Sequence, residues 1–262
     1  MLDRVTATRF DGQRSSGKTG PCNLECIRGD DTTIELVAKF SDGCERKTGS
    51  LVAEAITAML AADLDLPVPE PFLVNVDTNF VNGIANRVAA ARMRASSPVA
   101  FGSATLPPGF SVVLAGKPIP ARVRQQAAEI FAFDCLVQNP DRRPSNPNLL
   151  FDGNHFAIFD HELTFMTTGI IGWKPPWEAG ALQAVNADRH VLFTELKGRQ
   201  YDLSRLEGAW RTISASRIAA YRKALPAEWS DASGVADEAL GFIAQLRDNI
   251  EPAIAETVRA LL

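Results

Sequence analysis

Apolar and polar residues alternate with a period of two in three stretches near the start of the chain. These stretches are Val5–Thr8, Cys22–Ile27 and Ile34–Phe40. Such alternation is typical of β-strands that bury one face. Turn-forming residues separate the stretches, at Ser15–Gly20 and at Arg28–Asp31. The pattern therefore predicts that the chain opens as an antiparallel meander.

The period becomes helical after residue 48. Six apolar residues recur at helical spacing: Leu51, Val52, Ala55, Ile56, Met59 and Leu60. The prolines at 67, 69 and 71 end this helix, because proline cannot continue it. Alternation returns at Phe72–Val76 and at Asn82–Val88, which predicts two more strands. The first part of the chain is thus expected to be an antiparallel sheet with one helix.

The second half of the chain has a mainly helical pattern. Residues 94–121 are rich in Gly, Pro and Ser, and a boundary near 101–109 divides two expected lobes, 1–105 and 106–262. Arg122–Val137 is amphipathic, a small hairpin is expected over 149–159, and three or four helices are expected after residue 186. The predicted fold class is α+β.

Composition excludes several classes of protein. The chain has 262 residues, 46% of them apolar, and a net charge of −4, which gives no strongly basic field for nucleic acid or an anionic membrane. No apolar run reaches membrane-spanning length. The N-terminus has no signal-peptide pattern, and none of the four cysteines forms a C-x-x-C pair. We therefore expect a cytoplasmic protein with reduced cysteines.

The segment Gly12–Thr19 matches the phosphate-loop pattern G-x-x-x-x-G-K-[ST]. That loop must open a helix, whereas Gly20 and Pro21 follow here and then the strand pattern of Cys22–Ile27. The context therefore argues against a P-loop NTPase. A Gly/Ser turn between two strands can still cover phosphates, so Ser16, Gly17 and Lys18 are candidates for nucleotide contact. A plain surface hairpin is the alternative interpretation.

A second motif carries the chemistry of phosphoryl transfer. Asp141 and Asn146 have the spacing D-x-x-x-x-N, and Asp160 follows a turn and the apolar strand Phe156–Phe159. Mg²⁺ prefers oxygen ligands from one or two carboxylates or amides. We therefore predict Asp141 as the catalytic residue and Asn146 and Asp160 as magnesium ligands. Taken singly, each residue is also a common turn or cap former.

Such a site needs a cation for the phosphates, and Lys39 ends the apolar strand Ile34–Phe40. Glu54 stands among apolar residues of the next helix, where an acid needs a partner. We predict that the two side chains pair. The alternative is that Lys39 extends to solvent from a strand end and that Glu54 is solvated at a helix start.

These residues together resemble the HipA-like kinases, and more distantly the phosphatidylinositol kinases. The similar stretches are Val37–Phe40, the helix with Glu54 running into Leu66–Pro69, Asn139–Asn146 and Ile158–His161. The resemblance covers about residues 12–165. It implies a two-lobed protein-kinase-like fold that uses ATP and Mg²⁺. It also implies transfer to a serine or threonine of a protein, often within a toxin–antitoxin pair.

The resemblance also implies roles for single residues. Lys39 would hold the α- and β-phosphates, Asp141 would orient or deprotonate the acceptor hydroxyl, and the adenine-contacting hinge would fall near Phe101–Thr105, with Ser103 and Thr105 as contacts. Two alternatives remain open from the sequence: a non-catalytic nucleotide-binding or antitoxin-partnering module, and a small-molecule kinase of the aminoglycoside type.

Overall fold

The computed structural model describes residues 2–14, 19–167, 171–184 and 189–262. The chain forms two compact units. The first unit comprises Met1–Met59, Pro69–Leu106 and Ala220–Asp237, and the second comprises Leu60–Val68, Pro107–Ala219 and Glu238–Leu262. Each is described separately below. The lobe bounds 1–105 and 106–262 stay a prediction.

Five strands of the first unit form a closed barrel. They are β1 (Asp3–Gln13), β2 (Cys22–Ile27), β3 (Thr33–Lys39), β4 (Pro71–Asn75) and β5 (Val99–Ala104). Their order around the barrel is β1-β2-β3-β5-β4. The pairs are antiparallel except for β1 with β4, which is parallel. The expected antiparallel sheet is therefore corrected by one parallel pair, which closes the barrel.

The alternation in the sequence matches the two faces of this barrel. Leu24, Cys26, Leu36 and Ala38 are buried in its core. Their neighbours along β2 and β3 point to the other face, because successive strand residues alternate. The same rule puts Lys39 on the outer face, next to buried Ala38.

One predicted strand is wrong. Asn82–Val88 was expected to be extended, but the structure has the end of α2 (Thr78–Asn82), a connection over 83–86 and the start of α3 (Arg87–Ala95) there. Each helix has a side-chain N-cap, since Asp77 accepts from Phe80 N and Asn86 accepts from Val88 N and Ala89 N. These caps satisfy amide groups at the helix starts and outweigh the short apolar alternation. The first unit thus has more helices than the predicted α1 (Thr48–Asp63).

The chain contributes a late segment to the first unit. Residues 220–237 include the 3₁₀ helix Ala227–Ala232, whose Trp229 is buried and donates from Nε1 to Val99 O of β5 at 2.9 Å. Arg4 of β1 also forms an ion pair with Glu228 at 3.1 Å. This long-range contribution was not predicted from the sequence.

The second unit is mainly helical, as expected. Its three-stranded sheet has the order β6-β7-β8, with β6 (Ser111–Val112), β7 (Leu149–Phe151) and β8 (Phe156–Ile158). The long helix α4 (Arg124–Leu136) follows a 3₁₀ turn. The later helices are α5 (Ala181–Ala184), α6 (Phe193–Leu196), α7 (Ser204–Thr212), α8 (Ala215–Ala224), α9 (Ser233–Asp248) and α10 (Ile250–Leu261).

One expectation for the second half of the chain changes and another is confirmed. Three or four helices were predicted after residue 186, but the described residues there contain five, because the segment is divided into shorter helices than the pattern indicated. The predicted hairpin over 149–159 is present as β7 and β8. Among the described residues, no helix has the length and apolar character needed to cross a bilayer.

Candidate functional site

Lys39 and Glu54 form a buried ion pair in the first unit. Lys39 Nζ lies 2.8 Å from Glu54 Oε2, and the two side chains are only 11% and 3% exposed. Lys39 ends β3 opposite Phe101 of β5, and Glu54 lies on α1 between buried alanines. Burial of both charges is unfavourable unless they are paired, so the contact explains why an acid occupies this apolar helix.

Ser103 and Thr105 lie near the strand that carries Lys39. Ser103 is the Cα partner of Val37 in the antiparallel pair of β3 and β5. Directly opposed residues project to the same face, so Ser103 shares the outer face with Val37 and Lys39. Thr105 N donates to Glu35 O at 3.0 Å, which continues this pairing beyond β5.

A cavity of about 250 Å³ lies within the first unit at Thr105. Its lining is mixed, with polar and charged side chains from β1, β2 and β3 beside two leucines. The lining residues are Arg9, Asp11, Arg14, Asn23, Leu24, Glu35, Leu36 and Thr105. Arg14 Nε donates to Asn23 Oδ1 at 2.8 Å, which holds one wall of the cavity.

The candidate phosphate contacts Ser16, Gly17 and Lys18 lie outside the described residues. They belong to the segment between β1 and β2, and Arg14 N donates to Pro21 O at 2.8 Å from one side of this segment to the other. Strand β2 follows Pro21 directly, which agrees with the exclusion of a P-loop NTPase fold.

Thr19 and Gly20, at the end of this segment, are held by a side chain of α3. Arg92 Nη1 on α3 donates to Thr19 O at 2.9 Å and to Gly20 O at 3.2 Å. Gly20 has a φ of +59°, which glycine adopts without strain. Gly43 packs directly against Thr19 O, so closely that a side chain there would force the backbone to shift. Thr19 and Gly20 are thus held by hydrogen bonds from Arg92, and Thr19 is also held by close packing against the backbone of Gly43.

Asp141 and Asn146 contact each other in the second unit. Asn146 Nδ2 donates to Asp141 Oδ2 at 2.6 Å, and Arg143 Nη2 lies 2.9 Å from Asp141 Oδ1. The loop is tightened by Arg143 N, which donates to Asp141 O, and by reciprocal backbone bonds between Arg143 and Asn146. The hydrogen bond uses the amide nitrogen of Asn146, so its Oδ1 is not consumed by this contact.

Asp160 directly follows β8, and its backbone has a φ of +62°. This conformation is uncommon for a residue with a side chain, and such outliers cluster at functional sites. The preceding Phe159 N donates to Asn148 O at 3.4 Å. This hydrogen bond joins the segment that carries Asn146 to the segment that carries Asp160. The two predicted magnesium ligands therefore lie on segments that are adjacent in space.

Arg142 is the centre of this arrangement, and it was not predicted. Its side chain is fully buried and pairs with Asp134 of α4, with Nε 2.5 Å from Asp134 Oδ2. Nη2 donates to His161 Nε2 at 2.9 Å, and Nη1 donates to both Asn148 O and Phe159 O. Because arginine only donates, Nε2 of His161 is the acceptor.

His190 extends the network from a later segment. Leu192 N donates to His190 Nδ1 at 3.1 Å, so His190 Nε2 carries the proton and donates to Asp134 Oδ2 at 3.1 Å. Burial lowers the pKa of His190 and outweighs the opposing effect of Asp134. Burial opposes ionisation of Asp134, but the charge of Arg142 and the bonds from His190 and Arg142 together lower its pKa. A charged arginine thus faces an ionised aspartate and a neutral histidine.

The sequence contained one unused signal for this network. Asp134 stands in the apolar run Phe131–Leu136, where a charged residue is costly without a partner. The same reasoning identified Glu54. His190 carried no local signal, because 56 positions separate it from Asp134.

The donor set of the second unit fits magnesium. Asn146 and Asp160 offer an amide oxygen and a carboxylate, and magnesium is commonly held by one or two such groups with phosphates and water. Within the described ranges, no group of three or more His, Cys, Asp or Glu side chains is arranged to hold a metal by itself. The residues therefore suit a metal that arrives with a phosphate ligand.

One of the solved structures that match this chain shares its fold. The crystal structure of the proinflammatory kinase CtkA of Helicobacter pylori matches with a TM-score of 0.54 and 13% identity, over 100% of this chain and 99% of that chain. A MAP kinase of Leishmania major matches with a TM-score of 0.29 and 12% identity, over 98% and 84% of the two chains. The second score is too low to support an argument. No curated protein sequence matches.

The family comparison covers most of the chain. The model of the HipA-like kinase family matches residues 14–251, which include all of the candidate site residues named above. The match extends past the loop that contains Asp141 and Asn146 into the later helices. The chain therefore belongs to the HipA-like kinases.

Proposed function

We propose that this protein is an ATP- and Mg²⁺-dependent kinase that transfers the γ-phosphate to a serine or threonine of a protein. Membership of a kinase family makes it a phosphotransferase. The observation that supports the finer proposal most directly is the contact between Asp141 and Asn146, on a loop that Arg142 ties to the residue before Asp160. In this proposal Asp141 is the proton acceptor, and the two oxygen ligands for the metal are Asn146 on the same loop and Asp160 after β8.

Asp141 acts on the acceptor hydroxyl in this proposal. Its carboxylate accepts the hydroxyl proton while the hydroxyl oxygen bonds to the γ-phosphorus and the bond to the β–γ bridging oxygen breaks, which releases ADP. Arg143 and Asn146 each donate to one oxygen of Asp141 and so orient the carboxylate. Asn146 and Asp160 would hold magnesium, which would neutralise charge on the phosphates.

Lys39 binds the α- and β-phosphates, and Glu54 keeps the ammonium group in place. The buried 2.8 Å ion pair between Lys39 Nζ and Glu54 Oε2 supports this role. Ser103 and Thr105 contact the adenine end, supported by the cavity at Thr105. Ser16, Gly17 and Lys18 cover the phosphates.

The acceptor is a protein side chain, and an antitoxin is the proposed partner. The support for both is family membership, because the chain matches the HipA-like kinase model over residues 14–251. Ser15 and Ser16 are candidate sites of autophosphorylation. Mass spectrometry after incubation with ATP would identify modified residues directly.

Transfer of the labelled γ-phosphate of ATP to protein tests the proposal. The wild-type chain with Mg²⁺ should label itself or an added protein acceptor, and Asp141→Asn should abolish labelling. Asp237→Asn is the matched control, because this exposed aspartate forms only a 3.5 Å ion pair with Arg222. Unchanged labelling in Asp141→Asn would remove the catalytic role.

The same samples separate the alternatives. A non-catalytic nucleotide-binding module would melt at a higher temperature with ATP and Mg²⁺ while no phosphate moves. A small-molecule kinase would label an aminoglycoside and leave protein acceptors unlabelled. Either result would replace the proposed protein acceptor.

A further inference from the structure

Arg142 has an acceptor for every N–H group of its guanidinium. Its five N–H groups face Asp134 Oδ2, Asp134 Oδ1, Asn148 O, Phe159 O and His161 Nε2. These acceptors lie on three different segments: helix α4, the end of the proposed catalytic loop (residues 139–148) and the residues around Asp160. One side chain therefore connects the helix to both segments that carry the predicted magnesium ligands.

Asp134 determines the orientation of this guanidinium. It pairs through both carboxylate oxygens, at 2.5 Å to Nε and 3.3 Å to Nη2, and both groups are almost completely buried. Such a two-point contact holds the plane of the guanidinium as well as its position. Asn139 Nδ2 also donates to Asp134 Oδ1 at 2.7 Å, so the same carboxylate holds the beginning of the catalytic loop.

A later segment supports the same pair. His190 Nε2 donates to Asp134 Oδ2, and Val191 N donates to Arg142 O at 2.9 Å. Residues 190–191 thus bond to the side chain of Asp134 and to the main chain of Arg142. The ring of His190 packs edge-on against Phe131 of α4, with ring centroids 5.1 Å apart.

We propose that Asp134 and Arg142 are positioning residues for the metal: Arg142 sets the spacing between Asn146 and Asp160 by holding the carbonyl groups of Asn148 and Phe159. The inference rests on the proposed function, because it concerns the magnesium that the kinase would use. Neither residue touches the reacting atoms in this proposal. Their effect passes through the backbone on either side of the metal ligands.

Arg142→Lys is the decisive substitution. Lysine keeps the positive charge beside Asp134 but has only three donors and no planar fork, so it cannot serve the five acceptors together. We expect the variant to fold and to hold its metal ligands with poor spacing. Metal affinity should then fall by about 10- to 100-fold, the usual effect of losing such an outer contact.

Arg205→Lys is the matched control. Arg205 also forms a two-point pair with a glutamate of α4, Glu129, and donates from Nη1 to a backbone carbonyl, Leu64 O at 3.0 Å. Arg205 thus uses the same kinds of contact as Arg142, although its side chain is 43% exposed, and none of its described contacts involves the catalytic loop. A purely structural role for Arg142 predicts that both substitutions lower the melting temperature and leave metal binding unchanged.

Binding of Mn²⁺ in the presence of a non-hydrolysable ATP analogue gives a readout besides activity. Electron paramagnetic resonance of free Mn²⁺ measures the affinity, and circular dichroism checks the fold. Weaker binding in Arg142→Lys, with wild-type binding in Arg205→Lys, supports the inference. Wild-type Mn²⁺ affinity in a folded Arg142→Lys overturns it.

A second pair of variants decides the matter if Arg142→Lys does not fold. His190→Phe keeps a ring beside Phe131 but removes the donor to Asp134, whereas His190→Gln retains a donor and an acceptor. Weaker Mn²⁺ binding in His190→Phe with recovery in His190→Gln supports the inference, and equal wild-type binding in both overturns it. Failure of the proposed function is distinct, because the wild-type chain would then bind no Mn²⁺ with the nucleotide and transfer no phosphate.

Discussion

Lys39 Nζ and Glu54 Oε2 lie 2.8 Å apart, and neither side chain is appreciably exposed. The lysine comes from the end of strand β3, and the glutamate comes from the middle of helix α1. A buried pair of this kind is costly to assemble and more costly to break, because removal of one partner leaves the other charge uncompensated. The pair therefore links the stability of the first unit to the position of the ammonium group.

A single and a double variant of this pair should show that its effect on stability is distinct from its effect on nucleotide binding. Lys39→Met should lower the free energy of unfolding by about 3–5 kcal/mol, because it breaks a buried ion pair by removing one of its two charges. The double variant Lys39→Met with Glu54→Gln should recover much of this loss, yet it should bind ATP no better than Lys39→Met. Urea unfolding measures stability, and the ATP-induced shift in melting temperature measures binding. Wild-type ATP binding in the double variant would contradict the role of Lys39.

The pH dependence of stability should reveal the neutral His190. Its pKa in the folded state is lowered by burial, so below about pH 6.5 the unfolded chain binds more protons than the folded chain. The stability that neutral His190 contributes is fully present above its pKa in the unfolded state. It is lost as the pH falls through its pKa in the folded state. Asp134 and Arg142 are the charged groups that face the imidazole.

We therefore expect the melting temperature of the wild-type chain to fall more between pH 7.5 and pH 5.5 than that of His190→Gln, whose amide does not titrate. His155→Gln is the control, because His155 is 73% exposed and pairs only with the neighbouring turn residue Asp152. It should keep the wild-type pH profile. An identical acid response in His190→Gln and the wild type would refute the assignment.

Gly43 should tolerate no side chain. A methyl group there would meet the carbonyl oxygen of Thr19, and a backbone atom cannot rotate away as a flexible side chain can. Gly43→Ala should thus displace the end of the turn between β1 and β2, destabilise the protein by about 1–3 kcal/mol and weaken ATP binding.

Gly208→Ala provides the comparison for Gly43→Ala. Gly208 lies inside α7 with open space around it, so alanine there should stabilise the helix by about 0.5–1 kcal/mol. Chemical denaturation of the two variants should give free-energy changes of opposite sign. A neutral or stabilising Gly43→Ala would show that Thr19 moves without cost.

Trp229 should contribute a hydrogen bond as well as packing to the first unit. Its Nε1 donates to Val99 O, whereas the equally buried Nε1 of Trp210 has no hydrogen-bond acceptor among the residues that the structure describes. Trp229→Phe and Trp210→Phe lose similar apolar volume. Trp229→Phe should therefore cost about 1 kcal/mol more in the free energy of unfolding. Equal costs would argue that residues 220–237 are held by apolar contacts alone.

Local pattern predicted much of the fold. The strands β2 and β3, the helix α1 and the hairpin of β7 and β8 were expected close to their observed bounds, since alternation and helical spacing reflect which face is buried. The pattern failed at Asn82–Val88, where α2 ends and the side-chain cap Asn86 starts α3. A short apolar alternation and the start of a capped helix can have similar sequences. The capping hydrogen bonds can be assigned only when the positions of the backbone amides are known.

The candidate site shows the same division. The sequence by itself determined the kinds of group present: a lysine at a strand end, an acid in an apolar helix and the spacing of Asp141, Asn146 and Asp160. These follow from charge, burial and local period. The pairing of Lys39 with Glu54 was also predicted from the sequence, because a charge among apolar neighbours is unfavourable unless an opposite charge pairs with it.

Only the tertiary structure decided which distant residues hold these groups in place. Arg142 contacts Asp134, Asn148, Phe159 and His161, and His190 reaches Asp134 from 56 positions away. The parallel pair of β1 with β4 and the contact of Trp229 with β5 were likewise invisible to local pattern. The physical reason is that hydrogen bonds and ion pairs between distant segments depend on packing, and packing leaves no periodic trace in the chain.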